Sequence, residues 1–403
     1  MMVDHDMGFG LCIACYQTVK QTMNLRVFRK LKLGFLICVI LALNLTFLLS
    51  VTLRKVILWR EPYTHLPEFT VDPVLVARIR SQANTTVNPI KLRKVQDIKL
   101  EINDSRTTDD ALYPAKMIGH YIMVNPDLCR SAHVIDIIII VHTSPANLEN
   151  RQRIRESFGK EDNFLPFHVR VAFLLGRTTN QTLERILWFE HATYNDTIMA
   201  SFTDSYHNLT LKGVMGYQWV SQHCANSKFV LKIDDDVIIN MYKLLYSFLN
   251  HMNGKTKSIF CNVWYKDTMP ILRDGKWKVE SHMFARRKTF PYDYCSGFVV
   301  LMTTDLMAPM YEAALTTPFF WIDDVYLFGM LPSIVGHVTY YNYKLDQNVT
   351  LVPQKAINCT QTLGVKCPIF ASIISGGAFW NYWGMIQSLY TSSSWKVENK
   401  IVA

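Results

Sequence analysis

The chain of 403 residues reads as an α/β protein with a largely parallel sheet, and three observations predict it. Residues 134–141, VIDIIIIV, form a short β-branched apolar run, the pattern of a strand buried on both faces. Two more such runs follow, HVRVAFLLG (168–176) and FVLKI (229–233). Stretches of helical character separate the runs, and strands alternating with helices give parallel sheets. The composition, 49% hydrophobic and 19% charged, supplies a large core and excludes a disordered chain.

Taken in order, residues 1–32 form a basic tail with a local charge of +3, from Lys20, Arg26, Arg29, Lys30 and Lys32 against Asp4 and Asp6. Residues 33–53 then carry no charged side chain over 21 positions, the length at which a helix crosses a bilayer core of about 30 Å. We read this as a single signal anchor. The bias of basic residues before it places the tail in the cytosol and the rest in the lumen. Residues 54–130, broken by Pro62, Pro67, Pro73, Pro89 and Pro114, read as a lumenal stem, and residues 131–403 as the folded domain.

A lumenal destination agrees with seven Asn-x-Ser/Thr sequons, at Asn84, Asn103, Asn180, Asn195, Asn208, Asn348 and Asn358. It also agrees with six cysteines after the span (Cys129, Cys224, Cys261, Cys295, Cys359, Cys367), an even set whose pairing the sequence leaves open. The net charge of +9 has no Lys/Arg block or RNA-type aromatic motif with it. Nucleic acid is therefore excluded as a partner, whereas a phosphate-bearing ligand is not.

Within the domain, Ser144 and Pro145 are expected to start a helix that stops near Gly159, and residues 210–224 to form another. FVLKI runs directly into Asp234-Asp235-Asp236. Three adjacent carboxylates repel one another unless a cation or donors compensate, and hard ions such as Mg²⁺ or Mn²⁺ prefer such oxygens. Ligands of open α/β sheets also bind beyond the carboxyl ends of strands. A second acidic pair, Asp323 and Asp324 in WIDDV, has the apolar neighbours that tune a general base, although a helix N-terminal cap fits equally. Between them TFPYDYCSGF (289–298) gathers aromatics, Cys295 and Gly297, as a sugar-lining turn or a disulfide-pinned one.

Six segments in order resemble the beta-1,3-galactosyltransferase and beta-1,3-N-acetylglucosaminyltransferase family of type II Golgi enzymes. They are RQRIRESFG (151–159), FTDSYHNLTLKG (202–213), FVLKIDDDVIIN (229–240), GKWKV (275–279), FPYDYCSG (290–297) and WIDDVYLFG (321–329). The resemblance implies a GT-A fold, a Rossmann-like nucleotide half joined to an acceptor half. It implies inverting transfer of galactose or N-acetylglucosamine from a UDP-sugar to a glycan acceptor of a glycoprotein or glycolipid. Asp236 and Asp234 would bind Mn²⁺, with Asp234 and Asp235 on the donor side. Asp324, or its neighbour Asp323, would be the base. Arg151, Arg155 and Lys212 would lie near the donor, and Trp277, Tyr294 and Gly297 on the acceptor side. His337 is a candidate further metal ligand, with a structural histidine the plainer reading. A catalytically silent relative acting as a chaperone, and a tethered lectin, are the competing functions.

Overall fold

A computed structural model describes residues 112–391. The tail, the apolar segment 33–53, most of the stem, and Asn84 and Asn103 lie outside the described residues. Among those described, no helix is long and apolar enough to cross a membrane.

The apolar runs become the middle of an eight-stranded sheet. Its strands are β1 (Tyr121–Met123), β2 (Ile135–His142), β3 (Val169–Arg177), β4 (Thr197–Thr203), β5 (Ser227–Asp234), β7 (Ser258–Trp264), β8 (Tyr294–Thr303) and β9 (Thr339–Asn342), in the order β1-β4-β3-β2-β5-β8-β7-β9. Every residue of β2 is buried, as its unbroken β-branched pattern requires. β2 to β5 are parallel. β1 and β8 run against their neighbours, so the sheet is mixed rather than purely parallel. Three helices connect the parallel strands: α1 (Leu148–Glu156), α2 (Gln181–Tyr194) and α3 (Leu209–His223). Ser144 and Pro145 do not start α1; Asn147 precedes it, because the intervening turn is held by other bonds described below.

The expected boundary at residue 130 falls inside this unit. β1 pairs with β4, and Cys129 is joined to Cys224 at the end of α3, so the fold begins within the supposed stem. Pro114 does not break structure there; it opens a short helical turn at an N-terminal position that tolerates proline.

The C-terminal segment, which showed no role in sequence, builds a second core layer. β6 (Val237–Ile239), β10 (Val349–Thr350) and β11 (Ala371–Ile373) form a small sheet in the order β10-β11-β6. The helix Gly377–Thr391 buries Phe379, Tyr382, Trp383, Ile386 and Tyr390 against that layer. Ile374 donates its backbone N–H to the Asp236 carbonyl at 3.0 Å, and Asn240 to Phe370 at 2.7 Å. The segment thereby clamps the backbone on the far side of the aspartate triplet.

The cysteines pair as Cys129–Cys224, Cys261–Cys295 and Cys359–Cys367. Cys261–Cys295 joins β7 to the start of β8 and closes a loop with a sequence separation of 34. Loop-closure entropy for a bridge of that length is worth about 3–4 kcal/mol. Replacing both Cys261 and Cys295 by serine should therefore lower the unfolding free energy by an amount of that order, read as a lower denaturation midpoint in urea. An unchanged midpoint would show that the residues 265–293 it encloses are held by packing alone.

Candidate functional site

β2, β3 and β4 step outward on one side of β2, and the chain then crosses back to lay β5 on the other side. The order reverses between β2 and β5, which is where open α/β sheets form their ligand crevice. His142 and Asp234 end these strands opposite one another in register. β8 runs antiparallel to β5, so its first residues, including Gly297, rise at the same edge. The acidic helix turn beginning at Asp323 packs on β8, and five carboxylates thereby share one cleft.

The three aspartates have different surroundings. Asp235 accepts from Thr143 Oγ1 at 2.5 Å, Asn147 Nδ2 at 2.9 Å and Asn150 Nδ2 at 3.1 Å. It is thus committed to bracing the turn between β2 and α1, which also delays the helix start. Asp234 accepts from Lys232 Nζ at 2.7 Å and remains partly open to solvent. None of the described side chains donates to Asp236. Burial, then the charges of Asp234 and Asp235, push its pKa upward. A half-buried carboxylate made uncomfortable by like charge, with no side-chain donor, suits a cation. Among the described residues no three His, Cys, Asp or Glu side chains converge on one point. The protein therefore offers Asp236 and the shared Asp234, a set that fits a hard ion completed by phosphate and water oxygens.

Lys232 is the link to the second pair. This buried lysine donates to Asp234 and, at 2.7 Å, to the Gly297 carbonyl. Burial opposes its charge, but Asp234, Asp323 and Asp324 outweigh that and hold its pKa above the ordinary value. Asp323 and Asp324 lie partly exposed on the cleft floor, closely surrounded by protein. Burial pushes Asp323 up to about 6, opposed by Lys232. Burial and the Asp323 charge push Asp324 up to about 8, opposed by Lys232 and the backbone of Gly297. A Cβ at Gly297 would stand 2.0 Å from Asp324 Oδ1, so glycine there is clearance for that carboxylate. Tyr294 is buried, and burial together with Asp324 raises its pKa. Among the expected acceptor-side residues only Trp277 is well exposed.

The expected donor-side cations are internal. Arg151 is fully buried, pairs with Glu190 at 2.7 Å and donates to the Ser144 carbonyl at 2.7 Å, which fixes the turn that carries Thr143. Arg155 is spent on Glu190 and Asp196 and stacks on Phe173 and Tyr194, lining a separate hollow. Lys212 is buried between the Thr143 carbonyl and Asp204, 2.9 Å away. Arg151 and Lys212 are buried with their charges engaged, and Arg155 commits Nε and Nη2 to Glu190 and Asp196, so each of these cations acts as a brace and not as a direct donor contact. His337 lies at the entry to β9, beside the start of β7, at the opposite edge of the sheet from Asp234, and is no ligand there. Sequence reasoning passed over Lys232, although a lysine inside an apolar strand beside three aspartates was a readable signal. It also passed over His142, whose ring nitrogens are buried without a hydrogen-bond partner. Burial, then Lys232 and Lys212, keeps that ring neutral.

Residues 149–343 match the galactosyltransferase family model. Beta-1,3-galactosyltransferase 1 of Mus musculus is 30% identical over 209 residues, 51% of this chain and 63% of that protein, so the match spans less than two thirds of the relative. Lactosylceramide 1,3-N-acetyl-beta-D-glucosaminyltransferase of Xenopus tropicalis is 28% identical over 280 residues, 66% of this chain and 73% of that protein. A solved galactosyltransferase, LgtC with donor and acceptor sugar analogues, aligns with a TM-score of 0.32 at 11% identity, covering 65% of this chain and 99% of that one, too loosely to argue from.

The raised pair has a consequence for stability. The fold holds these protons more tightly than the unfolded chain does, so stability falls as pH rises from the ordinary carboxylate range through about 8. Asp324→Asn removes part of that dependence. Melting curves at pH 5.5 and 8.5 should show a smaller drop for the variant than for the parent, and equal drops would mean the pair is not raised.

Proposed function

The chain belongs to the galactosyltransferase family over residues 149–343, and on that premise we propose that it is an inverting, metal-dependent glycosyltransferase. It transfers galactose or N-acetylglucosamine from a UDP-sugar to a glycan of a glycoprotein or glycolipid, in a beta-1,3 linkage. We read its sheet as a GT-A arrangement, with the donor at the β2/β5 reversal and the acceptor beside β8. We further propose a type II Golgi membrane protein, from the apolar segment 33–53, the sequons and the paired cysteines.

The observation that carries this reading is the division of five carboxylates into two groups joined by Lys232. Asp236 and Asp234 would hold Mn²⁺ at the donor diphosphate. Bound there, the ion supplies a Lewis acid for the charge on departing UDP. Asp324 faces the acceptor, and its raised pKa marks a carboxylate whose ionised form binds a proton strongly. As the acceptor oxygen bonds to the anomeric carbon from the face opposite UDP, its proton passes to Asp324. The bond from the anomeric carbon to the diphosphate oxygen breaks with its electron pair on UDP. Lys232 keeps Asp323 and Asp324 near Asp234 while occupying the Gly297 carbonyl.

Three variants test the division. Asp324→Asn should lower turnover by about two to four orders of magnitude, the range for loss of a general base, while leaving UDP–Mn²⁺ affinity unchanged. Asp236→Ala should weaken UDP–Mn²⁺ binding in calorimetry as well as turnover, and Asp323→Asn should be the milder of the paired changes. Loss of donor binding in Asp324→Asn, or a greater loss of turnover in Asp323→Asn, would reverse the assignment.

A further inference from the structure

Three segments that meet at the carboxyl edge of the sheet carry aromatic side chains that the reaction as described does not use. Tyr206 and His207 follow β4, Trp321 precedes Asp323 by two residues, and Lys276 and Trp277 tip the long excursion 265–293 between β7 and β8. Tyr206 and Trp277 stay 46% and 49% exposed, although rings of this size are normally covered.

Tyr206, His207 and Trp277 are exposed and Trp321 is half-buried, yet all four are held in place. Trp277 Nε1 donates to Tyr206 Oη at 3.1 Å. The His207 and Trp321 rings lie 4.5 Å apart, and Tyr206 and Trp321 are 6.3 Å apart. The Lys276 ammonium sits 4.6 Å from the Tyr206 ring centre and 5.4 Å from that of Trp277. Thr210 Oγ1 donates to the Phe320 carbonyl at 2.7 Å and ties two of the segments together. The third is held at its root: Arg273 donates to the carbonyls of Val279, Glu280, Met283 and Phe284. Phe284 in turn packs edge-on against Phe290 and Phe320.

A rigid group of exposed rings beside a proton acceptor suits a ligand with one apolar face and a polar rim. A pyranose has that shape, its axial C–H bonds on one face and hydroxyls around the edge. Side chains already held in place lose little freedom when such a ring settles on them. The accepting sugar reacts at Asp324, and the ring contacts lead on from Trp321, three residues before it, through Tyr206 at 6.3 Å to Trp277 on the excursion between β7 and β8.

We propose that Tyr206, His207, Trp277 and Trp321, with Lys276 bracing the first and third, form an acceptor subsite. It binds the neutral sugar ring next to the one that reacts, so the acceptor is a glycan of at least two residues. This rests on the transferase reading given above.

The test uses the full chain in detergent, with methyl β-lactoside and methyl β-galactoside as probes. Saturation-transfer NMR without donor should show the lactoside bound more tightly than the galactoside. Trp277→Ala should weaken the lactoside about tenfold, the worth of one aromatic contact, and leave the galactoside and UDP affinities unchanged. Trp380→Ala, an exposed tryptophan on the C-terminal helix, should change neither. If the parent does not prefer the lactoside, or Trp277→Ala weakens both sugars equally or neither, the subsite is refuted. An octyl β-galactoside that gains as much as the lactoside would assign the platform to an apolar aglycone and overturn the saccharide proposal. Lactoside binding with this pattern, but no turnover with any UDP-sugar, would keep the subsite and refute the transferase reading instead.

Discussion

The cleft depends on one buried ammonium. Five carboxylates stand at one edge of the sheet, and like charges so close favour protonation or separation. Lys232 answers part of this from inside the core, reaching Asp234 and the Gly297 carbonyl and lying in the field of Asp323 and Asp324. Taking a lysine out of water costs several kcal/mol before its partners repay it, so the arrangement holds only while those partners keep their places. Strand β5, β8 and the acidic helix turn are thus tied to one point. No hydrogen bond ties Asp236 to Lys232, and no described side chain donates to it.

A second ring of buried charge supports the first. Arg151 and Lys212 hold the turn after β2 by its carbonyls, and that turn presents Thr143 to Asp235. Asp235 therefore belongs to the scaffold although it sits in the middle of the triplet. Beneath it, β6 pairs with β11, and the backbone bond from Ile374 to Asp236 fixes the last aspartate from below. The C-terminal segment thus determines the geometry of a site that lies over a hundred residues earlier in the chain.

Much of the site's location was legible, because it rests on local signals. FVLKI is short, β-branched and apolar, and a strand of that kind must end where three aspartates begin. The Asp323–Asp324 pair and Gly297 were legible as candidates, but the reason for Gly297 was not; clearance for a carboxylate is a contact between distant segments. The start of α1 was misplaced because Ser144-Pro145 carries a good capping pattern, which the pull of Arg151 on the preceding carbonyls overrides. β8 hid its direction, since antiparallel pairing leaves no trace in one strand's sequence. Prolines before residue 130 suggested an extended stem, yet β1 is held in the sheet by β4 and by the Cys129 bridge. Arg155 and Lys212 showed their charge but not their partners, Glu190, Asp196 and Asp204, and those partners decide that both are internal.

The account turns on whether this cleft performs metal-dependent transfer. The most direct measurement is steady-state turnover of the purified full chain across a panel of UDP-sugars with a glycan acceptor, before and after EDTA, and again after Mn²⁺ is restored. The account predicts transfer from UDP-galactose or UDP-N-acetylglucosamine that EDTA abolishes and Mn²⁺ restores. Undiminished transfer in EDTA, or no turnover with any UDP-sugar by a folded protein that binds UDP, would contradict it.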